Sequence, residues 1–160
     1  MSRVLFAARL SLFVGSISEV GSFLVGGIAG MLAGYFGGWV EAGVLLITDI
    51  LLAFPADLLV LALAAVLGPG LFNVALAITV ANVPVFARLA RSQTRVVRTF
   101  GYVEARRALG FGPLPILFGT IAPNILPPMI TQASLLFAMS ILIESHLSFL
   151  GVGVQSPDPT

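Results

Sequence analysis

Residues 10–34 read LSLFVGSISEVGSFLVGGIAGMLAG. A transmembrane helix needs about 20 mostly apolar residues, and this run exceeds that with Glu19 as its one charge. Within it Ser18, Ser22, Gly26, Gly30 and Gly34 recur at every fourth position. On a helix that spacing makes one narrow stripe of small residues, along which another helix can approach backbone to backbone. The stretch reads as a membrane helix packed on a second helix of the same bundle, with a homodimer seam as the alternative. Arg3 and Arg9 ahead of it imitate the charged start of a signal peptide, but the apolar run is longer than the usual about 7–15 residues of such a leader.

The rest of the chain has the same character. Of its 160 residues 58% are hydrophobic and 9% charged, and the mean hydropathy is +1.08. A soluble domain carries about 25% charged residues and must keep its surface wet, so the bilayer is the natural solvent for this composition. Three further apolar segments follow, at about Val40 to Leu67, Leu71 to Ala90 and Pro128 to Ile143. Gly37-Gly38 and Gly68-Pro69-Gly70 read as the tight turns between the first three. Phe54-Pro55 interrupts the second, because proline removes a backbone donor and clashes with the turn before it. A kink is expected there, with Asp57 in the first turn of the restarted helix, where a carboxylate suits the dipole. The expected fold is an all-α polytopic membrane bundle of about four spans, a single domain over 1–160.

What is missing excludes several functions. There is no cysteine, so no disulfide or thiolate metal site, and one His with scattered carboxylates offers no metal cluster. Lysine is also absent, all eight basic residues being Arg, and a P-loop needs its Lys to reach the nucleotide phosphates. Any ATP hydrolysis belongs to a partner. No cofactor and no nucleic-acid partner is expected.

Six arginines, Arg88, Arg91, Arg95, Arg98, Arg106 and Arg107, crowd one stretch. The positive-inside rule puts that stretch in the cytoplasm. Gly37-Gly38 is then also cytoplasmic, while Gly68 to Gly70 and the N-terminus are outside. Arg3 and Arg9 on the outside run against the rule, which an additional helix ahead of Met1 would resolve.

Between the third and fourth segments Tyr102, Ala105 and Leu109 share a helical face. Glu104 and Arg107 are spaced to pair at i,i+3, and Gly110 fits the position just past a helix end. Pro113 and Pro115 then oppose continuation of a regular helix. A short surface-lying helix with one small apolar face results, tied to membrane helices on both sides; an ordinary basic loop is the plainer interpretation.

The run from Tyr102-Val103-Glu104-Ala105 to Gly110, with Pro123-Asn124 beyond, resembles the EAA loop of binding-protein-dependent ABC importer permeases. The family pattern is Glu-Ala-Ala, three residues, Gly, nine residues, then Ile-x-Leu-Pro. Glu104, Ala105, Gly110 and Pro123 match in register, whereas Arg106, Thr120 and Ala122 depart from it. Other stretches are similar to the dipeptide/oligopeptide/nickel branch: Ala8 to Leu12, Ala33 to Val40, Asp49 to Pro55, Glu144, and Leu147 to Gln155. The likeness covers nearly the whole chain. Such subunits usually have six membrane helices, and this sequence starts just before the second and stops short of the sixth, so a fragment or a truncated product is expected.

The resemblance implies a permease subunit in the cell inner membrane. Its partners would be a second permease subunit, cytoplasmic ABC ATPase subunits, an external solute-binding protein and the lipid bilayer. Dipeptides, oligopeptides or nickel chelates would be its cargo. It implies that a coupling loop at about 91–127 meets the ATPase through Tyr102, Glu104, Ala105, Leu109, Gly110, Pro123 and Asn124. A truncated, non-transporting scaffold is the alternative, and a transporter working without an ATPase a third. Among the polar residues, Glu19 lies roughly 15 Å into its helix, near the midplane where a carboxylate is costly. It either lines the translocation path or is hydrogen-bonded inside the bundle near Ser18 or Ser22. Asp49 and Pro55 are further candidates for the pathway or gate; Asp49 is expected to face other protein rather than lipid, and the resemblance implies a structural hinge there in preference to substrate contact. Glu144, with His146, belongs either to an outer gate or binding-protein contact or to a solvated helix end.

Overall fold

The computed structural model describes the backbone of residues 2–149 and the side-chain surroundings of residues 9–147. The likeness over 150–155 and the side chain of Arg3 lie outside these. The described residues are helical, with turns and no strand: α1 (Ser2–Phe36), α2 (Gly38–Leu52), α3 (Ala56–Leu67), α4 (Leu71–Val97), α5 (Gly101–Ala108), α6 (Pro113–Ile116), a wider π-type turn (Leu117–Ile121), and α7 (Ala122–Phe149).

The small-residue stripe of α1 sets the architecture. Ser18 Oγ donates to the Ala75 carbonyl at 3.1 Å and Ser22 Oγ to that of Thr79 at 3.3 Å, each across 57 residues. Gly26, Gly30 and Gly34 continue the series against Val83, Ala87 and Arg91. A constant offset means that α1 and α4 run parallel and in register. A Cβ on Gly26 would stand 2.5 Å from the Val83 carbonyl oxygen, and one on Gly34 2.6 Å from that of Arg91. No larger residue fits there, so the stripe is an intramolecular seam. The third helix, α7, runs the other way, since Gly15 meets Ile141 and Phe137 while Gly27 meets Met129.

Parallel neighbours require a return crossing between them. The chain leaves α1 beside the level of Arg91 and must start α4 level with the N-terminal half of α1. The only chain available for the return is α2 with α3. That pair is bent by 89° at the break around Phe54-Pro55, so the expected kink is an elbow between two helices. Asp57 does lie in the first turn of α3. With the elbow taken as one span, α1, α4 and the unit from Pro113 to Leu147 complete four crossings.

The fourth segment begins much earlier than Pro128. Pro113 occupies the first position of α6, where a missing N–H costs nothing and the fixed φ suits the helix. The prolines expected to oppose continuation of α5 thus lie beyond its end and open the next helix. Pro127 and Pro128 lie inside α7, a few residues after the π-type turn. The third segment is also longer than Ala90, reaching Val97 and carrying Pro84. At the turns, Gly37 and Gly38 adopt φ of 67° and 53°, the left-handed conformation that favours glycine. Asn73 Nδ2 donates to the last carbonyls of α3, Leu67 at 2.8 Å and Gly68 at 3.1 Å.

Candidate functional site

Polar groups gather in two places, the middle of the bundle and its arginine-rich end. In the middle, Glu19 on α1, Asn82 on α4 and Ser140 on α7 are all buried. Asn82 Nδ2 donates to Ser140 Oγ at 3.1 Å and lies 3.5 Å from Glu19 Oε2. The other Glu19 oxygen, Oε1, has no partner among the described residues. Toward the far end, Ser11 Oγ donates to Glu144 Oε2 at 2.5 Å. These contacts tie α1 to both of its neighbours. In the hydrogen-bonded alternative Glu19 was expected near Ser18 or Ser22, yet those hydroxyls are taken up by backbone carbonyls of α1 and α4, being placed on the seam while Glu19 sits one residue round the helix. Glu144 is 4% exposed, so it is not a solvated helix end, whereas His146 is exposed.

At the arginine-rich end, the spacing of Arg88, Arg91, Arg95 and Arg98 places them along one side of α4. Arg91 and Arg95 both reach Glu41 in the first turn of α2. Arg88 Nη2 pairs with Asp49 Oδ1 at 2.6 Å, both side chains more than half exposed. Arg98 Nη1 donates to the carbonyls of Gly34 and Tyr35, each at 3.0 Å, satisfying acceptors that the end of α1 leaves without an intrahelical partner. The arginines therefore fasten α4 to α1 and α2.

Beyond them α5 lies on the bundle by one apolar peg. Val103 is buried in a cluster with Met31, Phe86, Val97, Ile116 and Leu117. Tyr102, Glu104, Ala105, Leu109 and Gly110 are exposed. The helix closes as expected at Gly110, with φ of 82°. Gly110 N–H bonds to the Arg107 carbonyl at 2.9 Å and Phe111 N–H to that of Arg106 at 3.2 Å, a Schellman ending. The expected Glu104–Arg107 ion pair does not form. Arg107 instead lies over the Tyr35 ring, 5.3 Å from its centroid, and Arg106 over Phe111 at 5.4 Å. A guanidinium gains more from a ring face beside it than from an exposed carboxylate. Pro123 and Asn124 are exposed at the start of α7, and the Asn124 amide donates to the Thr120 carbonyl at 2.6 Å. The segment 91–127 thus comprises the end of α4, the exposed α5, the return through α6 and the first turn of α7.

The family described as binding-protein-dependent transport system inner membrane component matches residues 26–160. The chain belongs to that family.

Its relatives include a dipeptide transport system permease protein of Alkalihalophilus pseudofirmus, 43% identical over 99% of this chain and 52% of the relative. A glutathione transport system permease protein of Pectobacterium atrosepticum is 39% identical over the same shares. A probable D,D-dipeptide transport system permease protein of Escherichia coli is 40% identical over 98% of this chain and 52% of the relative. The chain spans about half the length of the curated relatives it matches. The family is one of inner membrane components of transport systems, in keeping with the apolar helices long enough to cross a membrane.

Three partners in this transport component escaped sequence reasoning. Asn82 and Ser140 complete the mid-bundle contacts, and Glu41 collects two arginines. The signal for Asn82 is a lone amide in an otherwise apolar part of α4. For Glu41 it is an acid just after the turn that the arginine-rich helix had to pass.

Proposed function

We propose that the chain forms the membrane-spanning body of a permease subunit in an ATP-driven peptide importer of the cell inner membrane. Its partners are a second permease subunit, cytoplasmic ABC ATPase subunits and an external solute-binding protein. The observation that carries this reading is α5: a short helix with Val103 as its one buried residue, and Tyr102, Glu104, Ala105, Leu109 and Gly110 turned outward at the arginine-rich end. An EAA-like loop needs that geometry to dock on an ATPase. The relatives' names concern dipeptides and glutathione, which favours small peptides over nickel chelates as cargo.

ATP binding to the ATPases shifts the permease only through its different affinity for the two states. Movement of α5 passes to α1 and α4 through Val103 and the Arg107–Tyr35 stack, and the elbow at Pro55 is where α2 and α3 bend relative to them. The test is Leu109→Glu in the full-length protein. Leu109 is 76% exposed, so the change leaves folding alone while placing a charge on the docking face. ATP-driven dipeptide uptake falls about tenfold or more at an unchanged protein level, the loss expected when an apolar contact residue is charged. Full uptake by Leu109→Glu contradicts the coupling role.

A further inference from the structure

Asp49 and Arg88 are paired on the outer surface of this chain, their side chains 59% and 51% exposed. Two turns of α2, about 12 Å of helix, separate Asp49 from Glu41 and the arginine-rich rim. Charged side chains within membrane spans face protein or a water-filled cavity. An arginine can extend its stem toward the rim, but the short carboxylate arm of Asp49 cannot, so lipid is excluded as its neighbour. A second dry protein surface is a poor fit as well. The 2.6 Å contact is the one polar contact of either group among the described residues. It leaves one carboxylate oxygen and most guanidinium donors unsatisfied, and enclosed ion pairs need those groups hydrogen-bonded. Water meets the requirement.

We propose that the flank of α2 and α4 bearing Asp49 and Arg88 borders the water-filled passage, and that this pair is a charged part of its wall. The assignment rests on the transport reading above. The other flank of α2, with Ile47 and Ile50 exposed, carries only apolar groups at the same depth and faces lipid or protein.

These 160 residues contain no cysteine, and single-cysteine variants of the full-length protein, with any cysteine elsewhere in it replaced, permit a direct test in membrane vesicles. Asp49→Cys and Ile47→Cys lie at one depth on opposite flanks, and the probe is a membrane-impermeant sulfonated methanethiosulfonate. Asp49→Cys is expected to react about tenfold faster or more, because a thiol reacts as its thiolate and apolar surroundings suppress that form. Equal, slow reaction at both positions overturns the proposal and places the pair against another protein surface. Should Asp49→Cys insert poorly, Ala53→Cys, one turn along the same exposed flank, carries the same expectation against Ile47→Cys. ATP-driven dipeptide uptake by the unmodified protein is measured alongside. Uptake with equal labelling removes this proposal and keeps the transport reading; no uptake with unequal labelling removes the transport reading and keeps the water-facing flank.

Discussion

The α1–α4 seam and the α2–α3 elbow are built on opposite principles. Along the seam small residues bring two backbones into contact over the length of a span, and the helices keep one register from Ser18 to Gly34. At the elbow proline breaks the helix, the halves diverge by 89°, and α2 is fastened to α4 by ion pairs at Glu41 and Asp49. Close packing of this kind has one good arrangement and resists deformation. Exposed ion pairs contribute little each and can be exchanged for water. A transport component needs both kinds of region, one to carry force and one to move. Apolar side chains cannot supply the difference, since lipid tails attract them as well as other helices do.

The largest expected effect breaks the rigid side of that contrast. Gly30→Leu places a side chain against the Ala87 carbonyl, where backbone blocks it. The helices must separate, costing about 3 kcal/mol or more, and thermal unfolding in detergent should show loss of the folded protein. Next comes the polar clasp beside the seam. Asn82→Leu strips the hydrogen-bond donor from Glu19 and Ser140 and should cost about 1–3 kcal/mol, read as a lower unfolding temperature. The elbow should respond less. Glu41→Gln weakens the hold of Arg91 and Arg95 on α2 at no more than about 1 kcal/mol, while a spin label on α2 gains mobility and one on α1 does not. Smallest of all is Gly43→Ala in α2. A Cβ there meets nothing within 4 Å, so stability should hold or rise by about 0.5–1 kcal/mol from helix propensity. Equal damage from Gly30→Leu and Gly43→Ala would erase the distinction between the two regions.

Much of this was legible in the sequence for physical reasons. Hydropathy marks spans because the bilayer demands it, and the Ser18-to-Gly34 stripe announces a close-packed seam because only small residues permit one. Gly110 signals a helix end through its conformational freedom. Three things were not legible. The start of the last span was missed because Pro113 means opposite things at a helix start and in its interior. The partners of Glu19 depend on which residues of α4 and α7 arrive at its level, which no local spacing reveals. The ring contacts of Arg106 and Arg107 won over the Glu104 pair because Phe111 and Tyr35 are brought alongside by the fold. At the candidate docking face, the helical spacing of Tyr102, Ala105 and Leu109 was readable, but that Val103 is the buried peg was not.

The coupling face is tested most directly by proximity. Tyr102→Cys, as the single cysteine of the full-length protein in its native membrane, with any cysteine outside these 160 residues replaced, is treated with a short bifunctional thiol cross-linker. The account predicts a cross-linked product containing an ABC ATPase subunit, with a yield that changes on adding ATP. A Tyr102→Cys protein that is stably inserted and exposed to the reagent, yet joins no ATPase with or without ATP, would contradict it.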